Sequence, residues 1–391
     1  MAMVAVGVPG VAQDSWKLAK PTNNPPGVLA PAMAYDSARQ VVVMFGGQRG
    51  GNSGPSDETW EWNGLDWRKR YPKTKPAARM DHAMVYDSHR KVCVMFGGSG
   101  HTATWEWDGI DWLMRDKGAS SSDRRYIAMA YDAARKQVVR MGGLHGKAKA
   151  ETLTWDGKSW TLVTRQGPRA RYQHAMAYDP LRERVVLFGG HLDSFTVDET
   201  WEWDGKVWTE AKPVNQPPLR RLHQMVWMAK AGKVVVYGGV AGNYPVIPGS
   251  TWAWNGVDWS LRLHSLTNNP QEKRECAMAY DGKREQVVLY GGWSSPMRWT
   301  ETWLFSTNVQ VPATVAVFGK GCKGTVGIAN LALHGGRLPW IGEWMELALT
   351  GLPKAAYNQP LGIIGASRTR WGVAGLPLAL KPFGMPGCDL Y

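Results

Sequence analysis

A Gly-Gly pair behind a short apolar run recurs six times, at Gly46-Gly47, Gly97-Gly98, Gly142-Gly143, Gly189-Gly190, Gly238-Gly239 and Gly291-Gly292, with spacings of 51, 45, 47, 49 and 53 residues. A period near 50 residues points to an array of small supersecondary units. None of these can bury its own apolar face alone, so each must pack on its neighbours. One irregular domain is thereby excluded for most of the 391 residues.

Each copy carries the same punctuation. It opens with Ala32 to Asp36, echoed at Ala83 to Asp87, Ala128 to Asp132, Ala175 to Asp179 and Ala277 to Asp281; the fifth copy departs as Gln224 to Met228. The Asp can hydrogen-bond the backbone just ahead of it and so favours a tight turn. The run before Gly-Gly, such as Val41 to Phe45 or Val185 to Phe188, is continuously apolar, as expected of a short strand covered on both faces. A third segment, Glu58 to Trp62 in the first copy, then meets Asn63-Gly64, with Asp108-Gly109, Asp156-Gly157, Asp204-Gly205 and Asn255-Gly256 in later copies. These dipeptides suit two-residue hairpin turns. A closing Trp follows at Trp67, Trp112, Trp160, Trp208 and Trp259, so most of the 22 Trp read as blade packing.

The sixth copy ends at Phe305 without a closing strand, whereas Asp14 to Lys17 looks like a closing strand without a blade. If the N-terminal strand completes the last blade, the ring closes and no blade edge stays exposed. The expected fold is all-β: a six-bladed propeller over residues 13–307. In the pattern of Gly-Gly followed by an aromatic and a Trp, the chain resembles the kelch repeat. That resemblance implies four antiparallel strands per blade. It says little about function, since kelch propellers serve as scaffolds, glycan binders and enzymes.

After Ser306 the period stops. Residues 308–391, with alternating apolar segments at Trp344 to Leu349, Leu361 to Ile364 and Leu376 to Leu380, are expected to form a small β-sandwich-like domain. Its Gly321-Cys322 and Gly384 to Cys388 elements resemble a C-terminal β domain of secreted bacterial proteins of the planctomycete type. That domain normally continues past the second cysteine, which implies truncation at Tyr391. Cys322 and Cys388 are the expected disulfide, implying an oxidising compartment. Cys93 and Cys276 are expected as buried thiols. Met1 to Ala12 is apolar and rich in small residues, suiting the tail of a secretory signal, but falls short of the ~20 residues of a membrane helix. The expected location is secreted or periplasmic.

Lys and Arg number 46 against 33 Asp and Glu, a net charge of +13. Arg68, Lys69, Arg70, Lys73 and Lys75 cluster, but the remaining charge is spread and no nucleic-acid motif accompanies it, so a solvated basic surface is the reading. The sharpest functional signal is a column just before each first strand: Val28, Arg79, Arg124, Arg171, Arg220 and Lys273. Ring symmetry would gather five bases near one mouth of the central channel, a site for carboxylates, sulfates or phosphates. The competing reading pairs them with Glu58, Glu151, Glu199 and Glu301 as bridges between blades. Ala103 and Ser250 stand where two acids are missing, which would leave Arg124 and Arg220 freer. The same face should carry Tyr244, Trp293, Arg298 and Trp299 as ligand-binding candidates; Trp293 and Trp299 beside Arg suit stacking on sugar rings with Arg holding an acidic group, or equally covering the next blade edge. His101, His145 and His191 are weak metal candidates, and His82, His174 and His223 share a column with apolar residues and read as packing. No nucleophile motif stands out, and the catalytic residues are unknown.

These features lead to one expectation: an extracytoplasmic, monomeric binding module without cofactor, nucleic-acid partner or membrane span, one face of which takes an acidic carbohydrate or a protein. The kelch resemblance keeps an enzyme alternative, a mutarotase-like protein acting on a sugar acid held in an Arg-lined pocket. Copper oxidases also occur among kelch propellers. That chemistry needs a Cys–Tyr cofactor and converging His ligands, for which Cys276 is a weak candidate.

Overall fold

The structure is a computed structural model and describes residues 14–50, 53–118, 124–241, 250–264, 269–270, 273–293 and 300–307, with short strand segments between 323 and 390. Asp14–Thr307 is one compact unit built as a six-bladed β-propeller, each blade a four-stranded antiparallel sheet.

Blade 2 shows how local chemistry makes the unit. Its strands are Ala83–Asp87, Val92–Phe96, Thr104–Trp107 and Trp112–Asp116. Asp87 Oδ1 accepts the backbone N–H groups of His89 (3.0 Å) and Arg90 (2.9 Å), which closes the first turn. Arg90 then donates to Asp87 (2.7 Å) and to Glu106 on the third strand, tying three strands together at one end. Cys93, Val94 and Met95 are wholly buried, as a continuous apolar run requires. Asp108 Oδ1 accepts from Ile110 and Asp111 across the Gly109 turn, and Trp107 packs on Trp112 at 5.5 Å.

Adjacent blades share an apolar cluster at every seam, for instance Val43 and Phe45 of blade 1 against Met95 and Trp112 of blade 2. The closing Trp also crosses each seam through its indole N–H. Trp112 donates to Thr59 (2.9 Å), Trp160 to Thr104 (2.8 Å), Trp208 to Thr152 (2.8 Å), Trp259 to Thr200 (2.9 Å) and Trp67 to Thr302 (2.8 Å). The N-terminal strand Ser15–Leu18 pairs with Thr302–Ser306 in blade 6, Trp16 opposite Phe305, and Trp16 makes the sixth such bond, to Thr251 at 3.2 Å. Asp14 adds an ion pair to Arg262 of blade 5 (2.8 Å).

The Gly-Gly pairs are required where the blades approach each other. Gly97 has φ +75°, and a Cβ there would lie 2.4 Å from the Arg124 carbonyl oxygen of blade 3. Gly98 N–H meanwhile donates to that same carbonyl at 2.8 Å.

In the second unit, Asn330–Leu333, Met345–Thr350 and Leu361–Ile363 form a three-stranded antiparallel sheet. The expected sandwich packing there, the Cys322–Cys388 pair and the Met1 to Ala12 segment lie outside the described residues. Cys93 and Cys276 are free, buried thiols.

Candidate binding face at the channel mouth

The expected basic column is present but turned into the fold. Arg79 is 2% exposed, and Arg171, Arg220 and Lys273 are fully buried. Each reaches the first glycine of its own blade's Gly-Gly pair: Arg79 to the Gly97 carbonyl (3.0 Å), Arg171 to Gly189 (3.0 Å), Arg220 to Gly238 (3.2 Å) and Lys273 to Gly291 (3.4 Å). Arg171 also binds Glu199 and Lys273 pairs with Glu301 (3.4 Å). Desolvation opposes ionisation of Glu199, yet Arg171 and Arg169 hold its carboxyl at about 2.

The acids serve the base of their own blade rather than a neighbour's, which corrects one expectation. Arg124 is paired, to Glu151 at 2.8 Å. The bases facing Ala103 and Ser250 are Arg79 and Arg220, and burial pulls their pKa values down to about 10 and about 9. Glu58, opposite Val28, binds Lys69 (2.5 Å) and Arg49 (3.0 Å) instead.

Two residues beyond the column, all six copies hold a non-glycine residue at positive φ: Ala30 (48°), Asp81 (61°), Tyr126 (57°), Gln173 (58°), Leu222 (61°) and Glu275 (55°). Each donates its N–H to the carbonyl of the equivalent residue one blade back, at 2.7–3.3 Å, so that six backbone hydrogen bonds form a closed cycle around the channel. Beneath this cycle lies a cavity of roughly 80 Å³ lined by all six blades. At about 10–15 Å³ of such volume per molecule it takes several waters, so a sugar ring would rest on the mouth rather than enter it.

The side chains of the cycle are chemically unlike one another. Burial raises the Asp81 carboxyl from 3.8 to about 6, against a Ser99 hydroxyl donating to it at 3.0 Å. Burial likewise raises Glu275, with Arg274 and Arg221 opposing. Below them His82 and His174 are pushed down to about 3, chiefly by burial and next by Arg79 and Arg171 respectively, so both rings are neutral. His82 meets Phe45 edge-on at 5.7 Å, and His223 meets Phe188 at 5.6 Å.

Partly exposed cations at this mouth come one residue after bases of the column, at Arg125, Arg221 and Arg274. Arg274 lies over Trp293 at 4.5 Å, Arg125 over Tyr126 at 5.7 Å, and Arg221 donates to Gln173 at 3.3 Å. Tyr126 stacks near Tyr172 (6.2 Å), which meets His191 edge-on at 5.3 Å. The doubled bases Arg124-Arg125, Arg220-Arg221 and Lys273-Arg274 were the available signal, the first base of each pair bonding within its own blade and the second standing at the mouth.

Of the remaining candidates, Trp293 belongs to this arc, whereas Tyr244, Arg298 and Trp299 lie outside the described residues. His191 bonds Thr196 (3.2 Å), His101 lies 3.2 Å from the Ala78 carbonyl, and His145 sits in a two-residue strand, Leu144–His145. Among the described residues no three His, Cys, Asp or Glu groups are placed to hold a metal, and no helix is long and apolar enough to cross a membrane. The basic run after blade 1 is partly paired, Lys69 to Glu58 and Lys75 to Asp57 (2.6 Å). No protein-family model matches the chain, and no curated protein matches it.

Proposed function

We propose that this chain is an extracytoplasmic binding module of the kelch type whose mouth face takes an acidic carbohydrate. One observation carries the reading: Arg125, Arg221 and Arg274 stand among Tyr126, Tyr172 and Trp293 around a mouth that is too narrow to swallow a sugar ring. Guanidinium groups match carboxylate and sulfate geometry, and aromatic faces pack on sugar rings. Export, and a Cys322–Cys388 disulfide in the C-terminal unit, belong to the same proposal.

The test is a glycan-array screen of the chain at physiological salt against an Arg125→Ala, Arg274→Ala double variant. Selective binding of uronate, sialate or sulfated sugars, lost in the double variant, supports the reading. Absence of glycan binding, or binding unchanged in the variant, removes it and leaves a protein partner for this face.

A second reading, a mutarotase-like activity on a sugar acid, is favoured by Asp81. Its carboxyl is raised to about 6 beside Tyr126 and therefore exchanges a proton near neutral pH. Accelerated anomeric exchange of a bound sugar acid, abolished by Asp81→Asn while binding persists, would establish it. Unchanged exchange would dismiss it.

A further inference from the structure

The seam between blades 2 and 3 differs from the other five at one second-strand position. The equivalent residues are Met44, Met95, Leu187, Val236 and Leu289, all buried and apolar, but blade 3 has Arg140, only 7% exposed. Its guanidinium lies 4.4 Å from the Phe96 ring of blade 2 and 4.9 Å from the Trp160 ring, wedged in the apolar packing of the seam. Arg124 stands beside it, close enough that after desolvation its charge is the next cause lowering Arg140's pKa to about 9; Arg140 is still protonated at neutral pH.

The local charges do not balance. Two guanidinium groups, Arg124 and Arg140, meet a single carboxylate, Glu151, whose second oxygen faces the largely exposed Arg165 at 3.4 Å. Nor are the donors satisfied. Nε and Nη1 of Arg124 and Nε of Arg140 are buried and have no hydrogen-bond partner. Buried donors of this kind forfeit the bonds they had in water, and a buried surplus charge is costlier still. Every other blade avoids the problem with a Met, Leu or Val.

We propose that the seam between blades 2 and 3 binds a small monovalent anion of chloride size, held by the unpartnered nitrogens of Arg124 and Arg140. With the largely exposed Arg165 left to solvent, one negative charge brings the two seam arginines and Glu151 to neutrality, which a divalent anion would overshoot. Guanidinium is weakly hydrated and the flanking Phe96 and Trp160 faces are apolar, so a weakly hydrated halide suits the site better than a strongly hydrated oxyanion. The site is separate from the sugar-binding face and does not depend on that reading. It makes the stability of the propeller respond to halide.

The probe is bromide on the full chain. Anomalous diffraction from crystals soaked at millimolar bromide is expected to show a peak between Arg124 and Arg140. Thermal melts at constant ionic strength, with chloride exchanged for gluconate, are expected to show Tm rising with chloride to a plateau. Arg140→Met, which copies blades 1 and 2, should abolish that response without lowering Tm in gluconate. Arg124→Gln should weaken bromide by at least about tenfold, the least that losing its charge-assisted hydrogen bonds would cost. An ordered water in place of the peak overturns the proposal, as does an equal chloride response in wild type and Arg140→Met. A peak seen only at molar bromide with Tm unmoved marks an adventitious ion only and also overturns it. If Arg140→Met does not fold, the wild-type map and the Arg124→Gln titration still decide.

Discussion

The seams between blades and the mouth of the channel are made by the same six repeats, yet they treat those repeats in opposite ways. At the seams one side-chain device is kept in every copy: an indole N–H from a closing Trp to a Thr in the first two residues of the preceding blade's third strand, all six times if Trp16 is counted with blade 6. At the mouth it is the backbone that is kept, six positive φ angles and six hydrogen bonds in a cycle, while the side chains run through Ala, Asp, Tyr, Gln, Leu and Glu. Work that every blade must do leaves the same residue in every copy. Work done once, for the molecule as a whole, leaves unlike residues on a common frame.

Breaking a seam should therefore cost stability and leave the proposed glycan binding at the mouth unchanged. Trp112 is fully buried, bonded to Thr59 and packed on Phe45 at 5.1 Å, so Trp112→Ala should lose about 3–5 kcal/mol in urea unfolding. Trp112→Phe, which keeps much of the area but drops the donor, should lose about 1–2 kcal/mol. A seam variant that abolished glycan binding while still folded would erase the distinction between the two regions.

A mouth residue should behave the other way. Asp81 is 6% exposed with its carboxyl raised from 3.8 to about 6, so the folded state holds its proton more tightly than the unfolded chain. Stability is then lost as pH climbs from about 4 to about 6, by up to roughly 3 kcal/mol, and the full penalty applies at neutral pH. Asp81→Asn removes this penalty. Relative to wild type its unfolding free energy should gain on the order of 1–3 kcal/mol between pH 4 and pH 7, measured by denaturant at both. A pH-independent difference would show that Asp81 is not a strained functional acid.

Blade count, hairpin turns and the borrowed closing strand were legible in the sequence because they depend on short-range chemistry: Asp before a turn, Asn-Gly or Asp-Gly at a hairpin, an apolar run between. What was not legible is which loop meets which. Arg124 and Arg220 are equivalent in the linear pattern, but whether an acid serves its own blade or the next depends on the stagger of loops around the ring, and this decides that Arg124 is paired. The same limit hid the mouth. Arg124 and Arg125 are equally basic on paper, and only the folded path of the loop ahead of the first strand brings one to Glu151 and the other over Tyr126.

The seam rule can also be sharpened where it lapses. Glu61, Glu106 and Glu202 each bind their own blade's turn Arg and the next blade's inner Trp: Trp107 (3.3 Å), Trp155 (3.4 Å) and Trp254 (2.8 Å). Blade 3 has Thr154, blade 5 Ala253 and blade 6 Leu304 at this position; one blade on from Thr154 and Leu304 the inner Trp203 and Trp62 have indole N–H groups without a partner, and one blade on from Ala253 stands Phe305, which has no N–H to satisfy. Thr154→Glu should give Trp203 an acceptor and Arg135 a second carboxylate, stabilising by about 1 kcal/mol. A loss of stability would mean that the pattern of acids reflects something other than seam bonding.

The smallest effect tests the frame of the mouth itself. An L-residue in the left-handed region costs about 1–2 kcal/mol, while glycine there loses about 0.5–1 kcal/mol more in unfolded-chain freedom than alanine does. Ala30 sits at φ +48° with no side chain beyond Cβ, so Ala30→Gly should stabilise by a few tenths to about 1 kcal/mol. Ala32, two residues on, is 93% buried in the first strand, where the same exchange brings only the entropic loss and a lost methyl contact. Ala32→Gly should therefore destabilise by about 1 kcal/mol. Opposite signs two residues apart would show that the cycle at the mouth is held in a strained backbone by its neighbours, as expected of a frame retained for what its side chains present. Equal signs would make the cycle an ordinary turn, and the variety of its side chains would then need another cause.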